Sequence, residues 1–136
     1  VTDSIDETLA QAGLGLLRAD AGLTVYDGLV PQGAALPYVL VYTTVAWPPG
    51  GAADTITGAR LTATVTWTCH CVAESPSGAR VVEQRVRAAL LNQRPTVAGR
   101  GAGYIKQDQV LAPGPDQTTG RLVMDGVSIY SLVSTP

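Results

Sequence analysis

Cys69, His70 and Cys71 stand together in the segment WTCHCVA and are the densest group of chemistry-capable side chains in the sequence. Thiolate and imidazole are ligands that zinc favours, but a structural zinc takes four of them, usually as two spaced pairs. The whole chain holds two cysteines and one histidine. The surrounding LTATVTWTCHC alternates as a strand does, and that alternation sends His70 to the face opposite both sulfurs. A disulfide fits no better, because i and i+2 side chains of a strand sit ~6.5 Å apart, beyond the Cβ separation that a disulfide tolerates. The residues therefore read as two small buried thiols in a reducing compartment, with a reactive thiol as the alternative.

Other chemistries fail for stated reasons. Gly99-Arg100-Gly101-Ala102-Gly103 is glycine-rich, yet it precedes a strand-like segment, whereas a phosphate cradle needs the amides of a helix that follows. Ser128, His70 and an aspartate would make a triad by free choice only, since a triad is a geometry and the chain has no nucleophile-elbow pattern. Paired carboxylates placed for acid–base work are absent from any one element. The basic residues carry no interleaved aromatics of the kind that stack on bases. The expectation is no enzyme, no catalytic residue, no metal and no cofactor.

Composition sets the frame for the elements. The chain has 136 residues, 46% hydrophobic and 15% charged, with formal net charge −2. That length suits one domain, 1–136, with a core that needs no staples. A net negative chain is a poor candidate for a dedicated nucleic-acid binder. No apolar run is long enough to span a membrane, so no membrane partner is expected. The opening VTDSIDETLA carries acids where a secretory signal needs a basic start.

Ser4-Ile5-Asp6-Glu7 has the form of a capping box. Ile5, Leu9, Ala12 and Leu16, with Leu17 beside them, then make one stripe of a helix of about four turns. Gly13 and Gly15 each weaken it by up to ~1 kcal/mol; they read as tolerated cost rather than as a close backbone approach. TVYDGLV (24–30) reads as a short strand broken at Gly28. PYVLVYTTV (37–45) is a continuous β-branched and aromatic run, the pattern of a strand covered on both faces. Pro48-Pro49-Gly50-Gly51 stops it and opens a long loop, about 46–59, expected to be mobile. Trp47 at its root either packs on the core or waits for a partner.

RLTATVTWTCHCVA (60–73) alternates strictly, with Leu61, Ala63, Val65, Trp67, Cys69 and Cys71 on one face and four threonines and His70 on the other. The threonine face is either solvated or part of a subunit contact. Ser75 and Pro76 start a second helix with Val82, Val86, Ala89 and Leu90 inward, Arg80, Arg85 and Arg87 outward, and Pro95 as its stop. Segments 103–112 and 119–133 read as strands separated by APGPDQTTG, the latter with a bulge or bend at Asp125-Gly126. This order argues an α+β fold: a largely antiparallel or mixed sheet of four to five strands with two helices packed on one face.

Charge is unevenly spread. Val1 to Asp27 holds five acids and one arginine, and Pro76 to Lys106 holds six basic residues and one acid. Either these are two solvated helix faces, or they are the two sides of a heterologous contact that closes a ring.

The stretch LLRADAGLTVYDGLVPQGAALPYVLVY (16–42) resembles the opening of tail terminator (tail completion) proteins of long-tailed bacteriophages. TWTCHCVAES, the helix GARVVEQRVRAALLNQRP and the last strand follow in the same order, so the resemblance covers most of the chain. It implies a structural protein without catalysis. Such a protein forms a hexameric ring on the head-proximal end of the tail tube, ends tube polymerisation and offers a surface to the head connector. The implied partners are further copies of the chain, the tail tube protein and the head connector. DNA passes through the lumen without tight binding. The implied location is the neck end of the virion tail, after assembly in the host cytoplasm. The residues expected to make the contacts are Trp47, Pro48, Pro49, Asp54, Arg80, Arg85, Arg87, Asp6 and Glu7, with the Asp54 loop or the N-terminal acids, rather than the arginines, nearest the channel. Two alternatives stand: a connector or head-completion protein across the same joint, and a small ligand-binding or enzymatic domain with a deep polar pocket.

Deleting residues 48–53 is expected to leave thermal unfolding unchanged while abolishing tail completion. A variant that no longer folds would make the segment structural.

Overall fold

Helix α1 (Ile5–Arg18) starts at Ser4, whose backbone is extended and whose side-chain oxygen accepts from the Glu7 amide at 3.1 Å. Only this half of the capping box forms. Glu7 Oε1 takes the Gln11 amide nitrogen at 2.8 Å, one turn along the helix, instead of turning back. The computed structural model describes residues 4–47, 62–117 and 120–136, so the expected loop at 46–59 lies almost wholly outside the described residues. The buried stripe of α1 is Leu9, Gly13, Leu14 and Leu17, with Ile5, Ala12 and Leu16 packed along its border.

One mixed sheet receives this helix. Strand β1 (Val25–Asp27) runs parallel to β2 (Tyr38–Ala46), and β2 pairs antiparallel with β3 (Ala63–Ala73). β3 in turn pairs antiparallel with β6 (Val123–Thr135). The far edge of β6 is shared by the short β4 (Gly101–Ala102) and by β5 (Lys106–Asp116). The six strands among the described residues exceed the four to five expected because β4, two residues long, has no periodicity to read. β1 ends where Gly28 takes a positive φ of 75°.

Strand alternation sorts the core. Val39 and Val41 of β2, Ala63, Val65, Trp67, Cys69 and Cys71 of β3, and Tyr130 and Leu132 of β6 all share one buried cluster with both helices. Each large aliphatic side chain taken fully from water contributes roughly 1.5–3 kcal/mol. The opposite face is open. β2 was expected to be covered on both sides, but Tyr42 is 47% exposed and Tyr38 and Leu40 are half-buried. Both helices lie on the Val39 side, and the rings on the other side pack edge-on instead, Tyr26 against Tyr38 at 5.7 Å and Tyr42 against His70 at 5.5 Å.

Helix α2 (Pro76–Leu90) is capped by Ser75, which accepts the Gly78 amide at 3.0 Å. It buries Ala79, Val82, Val86 and Leu90. Pro95 is not what ends it. Leu91 turns extended, Asn92 takes a left-handed φ of 62°, and the Asn92 amide donates to Ile105, an asparagine stop of a familiar kind.

Two further expectations are corrected on the last hairpin. The segment taken for a separator, from Ala112 on, belongs to β5 as far as Asp116, and Pro113 and Pro115 sit there because an outer strand tolerates a missing amide. The irregularity expected at Asp125-Gly126 falls on β5, between Gln107 and Gln109 and between Leu111 and Gly114, while β6 holds unbroken register with β3 from Met124 to Ser134. Gly126 gives room to the Pro113 ring.

Gly13 is the place where another element does approach closely, contrary to the expectation of mere cost. A Cβ there would overlap the buried Trp67 indole, whereas a Cβ on Gly15 would meet nothing within 4 Å. Gly15→Ala is therefore expected to raise unfolding free energy by up to ~1 kcal/mol, and Gly13→Ala to lower it by roughly 1–3 kcal/mol, both read from chemical denaturation. Equal shifts in the two variants would contradict this packing.

Candidate functional site

The register brings the open-face residues into rows. Leu40, His70 and Val127 lie side by side across β2, β3 and β6, and Tyr38, Val72 and Asp125 make the next row. His70 Nδ1 and Asp125 Oδ2 are 2.9 Å apart on this diagonal, with side chains 26% and 21% exposed. The hydrogen bond to Asp125 raises the His70 pKa against the opposing effect of its burial. The segment from Gly28 to Ala34 passes over this end of the sheet and closes one side of a groove of about 750 Å³. Tyr38, Tyr42, His70 and Asp125 line its floor, and Asp116 and Arg121 stand at its rim.

His70 does point away from the sulfurs. Cys69 and Cys71 are free, buried on the helix side, and burial pushes the Cys71 thiol up to about 12. Ser128 pairs with Cys69 across the ladder and is buried on that same side, so it cannot meet His70. Among the described residues no three His, Cys, Asp or Glu side chains converge as metal donors, and no helix is long and apolar enough to cross a membrane.

The expected contact residues fall into separate places. Pro48, Pro49 and Asp54 lie outside the described residues. Trp47 is seated rather than waiting: its Nε1–H donates to Asp6 Oδ1 at 3.0 Å, and the Arg100 guanidinium lies 5.4 Å from its ring centroid. Glu7 is exposed; its amide donates to Ser4, and its carboxylate accepts from Gln11. Arg85 donates to both carboxylate oxygens of Asp20, at 2.8 and 3.1 Å, joining the end of α1 to α2. That guanidinium, with the Gly22 amide, holds the Asp20 carboxyl below its ordinary range. Arg87 pairs with Glu83 at 3.2 Å, one turn back. Arg80 is exposed on the outer side of α2.

A further pair went unnoticed in the sequence. Arg94 donates through Nε to the Ala102 carbonyl at 2.8 Å and lies 5.8 Å from the ring centroid of Tyr104, a ring 65% exposed. Residues ten apart across a loop give no periodic signal; only the rarity of a bare aromatic could have flagged Tyr104.

The fold defines the chain as a small α+β protein built on one mixed sheet. A chain from the virion of a native gene transfer agent particle has the same fold, with a TM-score of 0.70 and 17% identity over 98% of this chain and 99% of that one. None of the curated proteins matches. Residues 11–124 match the model of the family described as Tail completion protein gp17, and the chain belongs to that family. The resemblance drawn from residues 16–42 is thereby shown, and with it a structural role at the tail of a phage-type virion.

The His70–Asp125 pair makes stability depend on pH. His70 gains its partner on folding, so its folded pKa lies above the unfolded value of about 6.5. The stabilisation is then complete below about pH 6 and is lost as pH rises through the raised folded value. Urea midpoints measured across pH 6 to 8.5 should fall for the native chain, and Asp125→Asn should flatten that slope.

Proposed function

We propose that the protein closes into a ring, expected to be a hexamer, on the head-proximal end of a phage tail tube. It stops tube growth there and presents the opposite rim to the head connector. Membership of the tail completion family, over residues 11–124, is the observation that carries this reading. The surface supports it. Large apolar side chains stay exposed at Leu29, Tyr42, Val81, Leu122 and Val133, on several sides of the molecule. A subunit that meets two neighbours and two further proteins needs more than one such patch.

DNA threads the lumen in this reading and slides rather than binds. The pairing of Arg85 with Asp20 and of Arg87 with Glu83 removes two cations that would otherwise hold phosphates. The acids at the start of α1 are the groups placed nearest the channel. Assembly takes place in the host cytoplasm, before head and tail join.

Electron micrographs of tails assembled with and without the protein test the reading. Tubes of excess and variable length in its absence, and a ring of density at one end when it is supplied, are the expected results. Tubes of normal length that lack it would move the protein across the joint, to the connector side.

A further inference from the structure

Strand β5 pairs with β6 on one side, and among the described residues no strand pairs with its far edge. Helix α2 meets its beginning, where the Gln107 side chain donates to Glu83 Oε1 at 3.3 Å. Beyond that point the strand is bare: every residue from Asp108 to Ala112 is exposed. Val110 lies opposite Ser128, which is buried on the helix side, and Leu111 lies opposite Val127, in the row of His70 on the open face. Directly opposed residues share a face. Two neighbouring aliphatic side chains, 47% and 48% exposed, therefore stand bare on the two faces of one strand.

An apolar strand with a free edge is a place where another strand adds. β5 guards most of its edge. Pro113 and Pro115 lack amides, Lys106 and Asp108 carry charge, and the register slips between Gln107 and Gln109 and again between Leu111 and Gly114. Between the two slips Gln109, Val110 and Leu111 hold register with Ile129, Ser128 and Val127. Ladder geometry turns the N–H and C=O groups of alternate residues away from β6, and none of these three residues is a proline. The guarded edge thus has one unguarded window, centred on Val110.

The window fits itself. A two-fold axis through Val110 sets two copies antiparallel, with Val110 opposite its own equivalent and Gln109 opposite Leu111 of the second copy. No charged residue falls in these positions, so no like charges are opposed. The two Val110 side chains meet on the helix side, and the two Leu111 side chains become diagonal neighbours on the open face, within reach of each other. Both bare side chains are covered at once, whereas a foreign strand that alternates apolar and polar would cover one of them.

We propose that free copies of the chain pair through this window, β5 against β5 about a two-fold axis. The contact goes beyond the ring reading and does not rest on it. An isologous contact joins two copies and closes on itself, so it serves copies not yet assembled. Three paired residues a side fall far short of the ~800 Å² per partner of a standard interface. The pair is therefore weak, forms as free chain accumulates, and covers an edge otherwise open to aggregation.

Sedimentation velocity of the native chain, from dilute to concentrated, is expected to show a mass that rises from one copy towards two. Val110→Lys opposes like charges on the axis and is expected to weaken pairing about tenfold or more, whereas Val81→Lys, on the exposed side of α2, leaves it unchanged. Val110→Cys under mild oxidation should give a covalent dimer and nothing larger, undisturbed by Cys69 and Cys71, which are buried. This trap reads the contact even if Val110→Lys fails to fold in a thermal melt. A native mass that stays at one copy throughout overturns the proposal, as does equal weakening by the two lysine variants or a dimer that Val110→Cys does not trap. Native chain that climbs past two copies, with Val110→Lys climbing equally, overturns the pair and leaves the ring reading standing.

Discussion

The position of the Trp67 indole is the constraint from which the rest of the molecule follows. It sits fully buried in mid-strand, pressed against Gly13 of α1, with its Nε1–H on the Ala10 carbonyl at 3.1 Å. An indole in a dry core needs a partner for its single donor, and here the partner is the helix backbone itself. That bond fixes α1 along its axis, and the missing side chain at Gly13 fixes its distance from the sheet. Everything polar at the ends of α1 inherits this placement. Asp6 reaches Trp47 and Asp20 reaches Arg85 because the helix between them does not slide.

Elements set by local chemistry were legible in the sequence. Both helix starts were announced by a serine cap, and the alternation of residues 63–73 named the buried face residue by residue. What was not legible depended on partners distant along the chain. The run 37–45 looked doubly covered because valine, leucine and tyrosine satisfy a packed face and an open aromatic one equally well. Gly13 looked like a cost because its reason, Trp67, lies 54 residues further on. The glycine at 126 suggested a bend in its own strand, but the space it frees is filled by Pro113 from the neighbour. The surface was hardest. Arg80, Arg85 and Arg87 share a charge and a helix face, and only the fold shows that Asp20 and Glu83 have claimed two of them.

The groove over His70 has one ingredient of a catalytic site, an imidazole oriented by a carboxylate. Among the described residues it lacks the others, in a way the sheet itself explains. Period-two alternation puts Ser128, Cys69 and Cys71 through the sheet, on the dry side, and burial raises both thiols so far that thiolate is scarce. Among the described residues no serine or cysteine stands beside this oriented histidine, and its bond to Asp125 ties β3 to β6. On an open sheet face such a pair joins neighbouring strands where no helix covers them.

Charge pairing within the chain decides which cations its surface still presents. A guanidinium bound to a carboxylate presents a dipole, whose field dies away faster than that of a free charge and within a Debye length of about 10 Å. Arg85 and Arg87 are quieted in this way, while Arg80 stays exposed on the outer side of α2. Arg94 is held by a carbonyl and a ring, neither of which cancels its charge. Its attraction for a carboxylate therefore survives folding intact. Of Arg85, Arg87 and Arg94, it is the one whose field still reaches solvent undiminished by a carboxylate.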